Sequence, residues 1–197
     1  MKESEAVSVK RGFEVVTKYQ DQNIHLPKRA TQQSAGYDIE AAMDIVIPSF
    51  WKSAVKSVAR EWGPFRTNRN FTKEIDPAVM KPTLVPTGLK VYMPKNEYLQ
   101  LTCRSSNPLK RQLMLPNGVG IIDSDYYNNP DNEGEIFVQL LNFGLEPVTI
   151  KKGERIAQGI FLQYLTVDDE EAIDTVRSGG FGSSGVEALG DHHGEEA

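Results

Sequence analysis

Short stretches of alternating apolar and polar residues, broken by Gly, Pro, Asn and Asp, run through most of the chain. Ile136, Val138 and Leu140 alternate with Phe137, Gln139 and Leu141, so a strand here sends one set to each face. The same pattern predicts strands over 13–18, 37–47, 83–93, 97–103, 119–123, 135–142, 147–151 and 155–165. Many short strands between frequent turn residues predict an all-β sandwich or barrel rather than a βαβ fold.

One segment departs from that period. Pro48-Ser49 reads as a helix start with Ser49 as N-cap, and Gly63-Pro64 as its stop. Between them Phe50, Ala54, Val55, Val58, Ala59 and Trp62 fall on one helical face. Residues 49–75 therefore read as a short helical insertion that buries Phe50, Val55 and Trp62 against the β scaffold. Its other face carries Lys52, Lys56, Arg60, Arg66, Arg69 and Lys73 against Glu61. The ends differ again: 1–11 is polar and reads as a loose arm, and 166–197 reads as a flexible C-terminal arm around one Gly/Ser element.

Length and composition narrow the picture. A chain of 197 residues suits one domain, 1–197, with a real core. The single cysteine, Cys103, excludes an internal disulfide, and its apolar flank makes it a small core residue rather than a nucleophile. No run reaches the roughly 18 apolar residues of a membrane span, and MKESEAVSVK lacks an apolar signal core, which predicts a cytoplasmic protein. A net charge of −5 gives no global attraction to membranes, and no stable nucleic-acid binding is expected.

Five segments carry candidate chemistry. In AGYDIEAA, Gly36 permits close backbone approach and Asp38 sits beside it at a strand start. Arg104-Ser105-Ser106 follows a strand; a guanidinium beside two hydroxyls suits a phosphate group. In 116–126, Asn117-Gly118 followed by Gly120, Ile121, Ile122 and the turn Asp123-Ser124-Asp125-Tyr126 reads as a hairpin. Asn117 offers the donor and acceptor that a pyrimidine edge needs, and Asp123 follows an apolar pair at a pocket mouth. Lys151-Lys152-Gly153-Glu154-Arg155-Ile156-Ala157-Gln158 reads as a turn entering a strand that carries Gln158. In Arg177 to Gly185, the backbone and hydroxyls around Gly182 and Ser183 could wrap phosphates, while Phe181 could stack on a base. Taken singly, each segment also fits ordinary turns, strand residues or a linker.

Taken in order, the five segments resemble the five motifs of the trimeric dUTPase family, in a bacterial or phage-like subgroup. The resemblance spans Ala35 to Gly185, with GIIDSDY and GGFGSSG its most specific parts. It implies a distorted jelly-roll β-barrel that forms a homotrimer and hydrolyses dUTP to dUMP and pyrophosphate with magnesium. By this resemblance Asn117, Gly120, Ile122, Asp123, Tyr126 and Phe137 bind the nucleoside, with Asp123 on the 3′-hydroxyl and the attacking water. Arg104, Ser105, Ser106 and Gln158 bind phosphate, with Arg177, Phe181, Gly182 and Ser183 closing from the arm. Mg2+ would be held mainly by substrate phosphates and waters, with Asp38 and Gln158 outside its direct ligands.

The chain departs from the family pattern in places. Ser106 stands where the family usually has Gly, Val176 where it usually has Arg, and Tyr127–Glu133 lengthens the third motif. Two rivals remain. A dCTP deaminase of the same fold would need a basic Glu three residues before Asn142, where this chain has Gln139. A nucleotide-responsive regulatory protein would use 49–75 to hold a protein partner.

Overall fold

The computed structural model describes residues 11–61 and 81–169. Its strands form sheets of two, three, two and five strands around one core, so the all-β expectation holds in a jelly-roll arrangement. The five-stranded sheet runs β2 (Lys28–Arg29), β3 (Tyr37–Glu40), β12 (Arg155–Gln163), β7 (Glu97–Cys103), β9 (Val119–Asp123). The three-stranded sheet places β10 (Phe137–Asn142) between β5 (Thr83–Pro86) and β8 (Leu113–Met114). All named ladders are antiparallel.

The alternation in β10 sorts as the sequence predicts. Ile136, Val138 and Leu140 are fully buried, and Phe137, Gln139 and Leu141 are half-buried. Each fully buried Val, Ile or Leu contributes about 1.5–3 kcal/mol of transfer free energy. Leu99, Leu101, Leu113, Ile39 and Ile156 complete the centre of the core.

Two predicted strands are each two strands. The 37–47 span breaks after β3, and β4 (Ile45–Ile47) pairs with β11 (Val148–Ile150) instead of β12. At the break, Ala41 N–H donates to Glu154 O and Ala42 N–H to Pro86 O, both at 2.9 Å. The 83–93 span breaks at Thr87-Gly88, where β5 leaves β10 and β6 (Leu89–Tyr92) joins β1 (Gly12–Val15). Buried Thr87 holds that corner by donating its hydroxyl to Ile136 O at 2.7 Å. A uniform apolar pattern cannot reveal which sheet a strand joins, and these corners are sheet switches.

The insertion begins as predicted: α1 spans Phe50–Glu61, and Lys52 N–H donates to Ser49 Oγ at 3.2 Å. Its packing differs from expectation. Val55 is 65% exposed, and the first turn is held by polar contacts instead. Ser49 Oγ donates to Gly144 O at 2.7 Å and Trp51 Nε1 to Phe143 O at 3.0 Å. Trp62, Gly63-Pro64 and the remainder of the insertion to residue 75 lie outside the described residues.

Candidate active site

A pocket of about 170 Å³ opens between β9 and β10. That volume far exceeds the ~10–15 Å³ one water requires. Asn117, Gly120, Ile122, Asp123, Tyr126 and Phe137 all line it, as do Leu101, Glu135 and Gln139. The predicted hairpin over 117–126 is corrected here. Asn117-Gly118 does turn the chain, with Gly118 N–H donating to Leu115 O at 3.1 Å. The strands flanking that turn nevertheless pair apart: β8 with β10, and β9 with β7. Among the described strands no ladder joins β9 to β10, and the pocket occupies the gap that such a ladder would close.

The pocket wall is braced from behind. Tyr126 is 7% exposed; its hydroxyl donates to Glu135 O at 3.2 Å and accepts from Asn132 Nδ2 at 2.8 Å. Gly134, at φ +78°, closes the 127–133 excursion where an added Cβ would lie 2.5 Å from Tyr126 O. The excursion itself is pinned to the start of the chain: Glu133 accepts from Thr17 N–H at 2.9 Å and from Lys90 Nζ at 2.7 Å. The Lys90 contact, and then the Thr17 amide, hold the Glu133 carboxyl below the usual carboxylate range. The fully buried Glu135 carboxylate pairs with Lys18, whose ammonium it raises above its ordinary range. Lys18 Nζ also lies 5.8 Å from the centre of the Phe137 ring.

A second cluster gathers the predicted phosphate residues. Arg104 Nε meets Asp38 Oδ1 at 2.8 Å, and Arg155 Nη1 meets Asp38 Oδ2 at 3.1 Å. Gln158 is the cross-strand partner of Asp38 on β3 and of Thr102 on β7. Gly36 leaves room for the Gln158 amide, since a Cβ there would lie 2.5 Å from Oε1. Arg104, Ser105 and Ser106 pass directly into α2 (Ser106–Arg111). Buried Asn107 anchors that helix by donating its amide to Ile156 O at 2.6 Å. Cys103 packs against the core, and burial pushes its thiol up, as expected of a structural residue.

Strand alternation puts Asp38, Gln158 and Thr102 on one face of the five-stranded sheet together with Ile121 and Asp123, and Leu101, Gly120 and Ile122 on the other, so the pocket draws residues from both faces. Arg177, Phe181, Gly182 and Ser183 lie outside the described residues. Sequence reasoning missed Lys18, Asn107, Glu135 and the pairing of Arg155 with Asp38. Ser105-Ser106-Asn107-Pro108 did carry a helix-start composition, but Lys18 and Glu135 gave no periodic signal. Among the described residues no group of three or more His, Cys, Asp or Glu is placed to hold a metal ion, and no helix is long and apolar enough to cross a membrane.

The structure thus defines an all-β protein of the jelly-roll class with a ring-sized pocket and a guanidinium cluster. A family model described as dUTPase matches residues 70–185. The deoxyuridine 5′-triphosphate nucleotidohydrolase of Lactococcus lactis subsp. lactis (strain IL1403) is 48% identical over 177 residues, covering 89% of this chain and 98% of that protein. The crystal structure of dUTPase from Streptococcus mutans is 40% identical, covers 80% of this chain and 99% of its own, and superposes with a TM-score of 0.62. A mutant dUTPase from phage phi11 of S. aureus, described for its coordination of a structural Mg(II) ion, covers 83% of this chain and 96% of its own. At 16% identity and a TM-score of 0.55 it shares the fold. The chain belongs to the dUTPase family.

Proposed function

We propose that this protein hydrolyses dUTP to dUMP and pyrophosphate, keeping uracil out of DNA and supplying dUMP for thymidylate synthesis. The observation that carries this reading is the convergence of Asn117, Gly120, Ile122, Asp123 and Tyr126 on one pocket between two strands that do not pair with each other. Asn117 and the backbone of β9 present donors and acceptors to the uracil edge, in a space that excludes the thymine methyl. The Tyr126 ring packs on the deoxyribose and disfavours a ribose. Asp123 holds the 3′-hydroxyl and orients the water that attacks the α-phosphorus; the new oxygen–phosphorus bond forms as the bond to pyrophosphate breaks. The water's proton passes toward the carboxylate as charge develops.

Arg104, Ser105, Ser106 and Gln158 take the phosphates. Membership of the dUTPase family supports a homotrimer whose sites combine neighbouring chains. Val119, 42% exposed on the outer face of the five-stranded sheet, supplies apolar surface for such contacts. The donor set fits magnesium held by the triphosphate. Asp38, already shared by two guanidiniums, and the Gln158 amide would accept hydrogen bonds from its waters. When bound, the ion screens phosphate charge and polarises the phosphoryl group. Each chain acts as one domain in the cytoplasm, and the 166–197 arm brings Arg177, Phe181, Gly182 and Ser183 over the bound nucleotide.

The pocket also disfavours the deaminase. Gln139 lines it where that chemistry needs a basic carboxylate, and an amide cannot take the proton. Exposed Trp51 and Val55 support a second role for 49–75 in holding a protein partner. That role is lost if deleting 50–73 leaves hydrolysis intact and no partner is captured by the full chain. The functional test is a product assay with and without magnesium on dUTP, dCTP, dTTP and UTP in parallel. Pyrophosphate and dUMP from dUTP alone are expected. Ammonia from dCTP, or no turnover of dUTP, overturns the proposal.

A further inference from the structure

We infer that Arg155 is a second cationic contact for the substrate's triphosphate, held ready by the Asp38 carboxylate that it shares with Arg104. The inference rests on the dUTP reading of the site and extends it to a residue outside the phosphate set given above.

The placement of Arg155 is built by an irregularity in the sheet. Along β12 the pairing with β3 shifts between Arg155 and Ala157: Arg155 faces Glu40 and Ala157 faces Ile39, leaving Ile156 extra. Ile156 and Ala157 are both fully buried, so the alternation of a regular strand is broken there. In a regular strand Arg155 would share the inward face of Ala157. The bulge turns it outward instead, to the face of Asp38 and Gln158. Bulges recur beside active sites because they re-aim one side chain in this way.

The irregularity is held in place by the residue that follows the phosphate segment. Asn107 donates its buried amide to Ile156 O at 2.6 Å, satisfying the carbonyl of the extra residue. The contact ties Arg104-Ser105-Ser106 and Arg155 into one rigid unit. Within it, one carboxylate faces two guanidiniums, leaving one positive charge in excess. Glu40, the cross-strand partner of Arg155, already meets His25 Nδ1 at 3.0 Å. The Arg155 side chain is 52% exposed, against 25% for Arg104, so its remaining donors reach solvent. Two forked cations fixed by a shared acceptor suit an extended polyanion, whose oxygens take paired N–H donors.

The test compares wild type with Arg155→Gln and Arg155→Lys in steady-state hydrolysis and in inhibition by inorganic tripolyphosphate and by deoxyuridine. Arg155→Gln should raise KM for dUTP and weaken tripolyphosphate inhibition by at least about tenfold, while deoxyuridine inhibition stays at the wild-type level. Arg155→Lys, which keeps the charge and loses the fork, should fall between the two. Wild-type values for dUTP and tripolyphosphate in Arg155→Gln overturn the inference, as does an equal loss of deoxyuridine binding, which would mark a structural role. Should Arg155→Gln not fold, Arg155→Lys decides: KM at the wild-type level overturns the inference, and a rise of about threefold or more supports it. If wild type does not turn over dUTP, the functional reading fails. Calorimetric binding of tripolyphosphate to wild type and variant still tests Arg155 in that case.

Discussion

The hydroxyl of Tyr126 donates to the backbone oxygen of Glu135 at 3.2 Å, so a pocket-lining side chain ties the two ends of the 127–134 excursion together. The same hydroxyl accepts from Asn132 Nδ2, which places the excursion's own polar side chains behind the pocket wall. Geometry at the pocket therefore depends on a segment that does not itself line it.

Tyr126→Phe removes that hydroxyl and leaves a buried carbonyl and an amide short of a partner, while the ring remains in the pocket. The variant should lose about 1–3 kcal/mol of stability. Urea unfolding reads it directly; a midpoint equal to wild type would show that the hydroxyl does not brace the wall.

Asp123→Asn keeps the volume and the strand end at which the residue sits, and removes the negative charge. Turnover of dUTP should fall by about 10²–10⁴-fold, while affinity for a non-hydrolysable dUTP analogue changes little. Single-turnover kinetics with calorimetric binding separate the two. Hydrolysis at the wild-type rate would remove Asp123 from the mechanism.

Glu133→Gln tests the latch between the excursion and the N-terminal segment. Contacts with Lys90 and Thr17 lower the folded-state pKa of Glu133. Its contribution is therefore present above the unfolded-state value and is lost as pH falls through the lower folded-state value. The stability gap between wild type and variant should be open at neutral pH, stay below about 1 kcal/mol because the pair is partly solvated, and close below about pH 4. A gap that persists unchanged in acid would show that the ion pair is not its source.

Removal of residues 177–197 should leave a folded assembly that hydrolyses dUTP poorly, since Phe181 and the Gly/Ser run would no longer close the site. Light scattering of the truncated protein, paired with its kcat, checks both halves. A normal kcat would reduce the segment to a linker.

Much of the molecule is legible from local pattern. The alternation at 136–141, the Ser49 cap and the strand ends at Cys103, Asp123 and Asn142 stand where the sequence places them. These features depend on neighbours a few residues away, which a linear pattern records. The lining of the pocket was legible for another reason: the motif 117–126 is contiguous, and the fold only had to leave space beside it.

What the sequence by itself determined is the set of parts: short strands, the helix start, the order of the five motifs and the family they resemble. Tertiary structure alone decided which strands pair, and through that the rest. β9 joins β7 and not β10, which leaves the pocket open between β9 and β10. Burial of Val55, expected from its helical face, did not follow, and polar contacts at Ser49 and Trp51 anchor the first turn of α1. Arg155 stands beside Asp38 because one extra residue was accommodated in β12. Strand pairing and sheet switching join residues some hundred positions apart, and local propensity holds no record of contacts at that range.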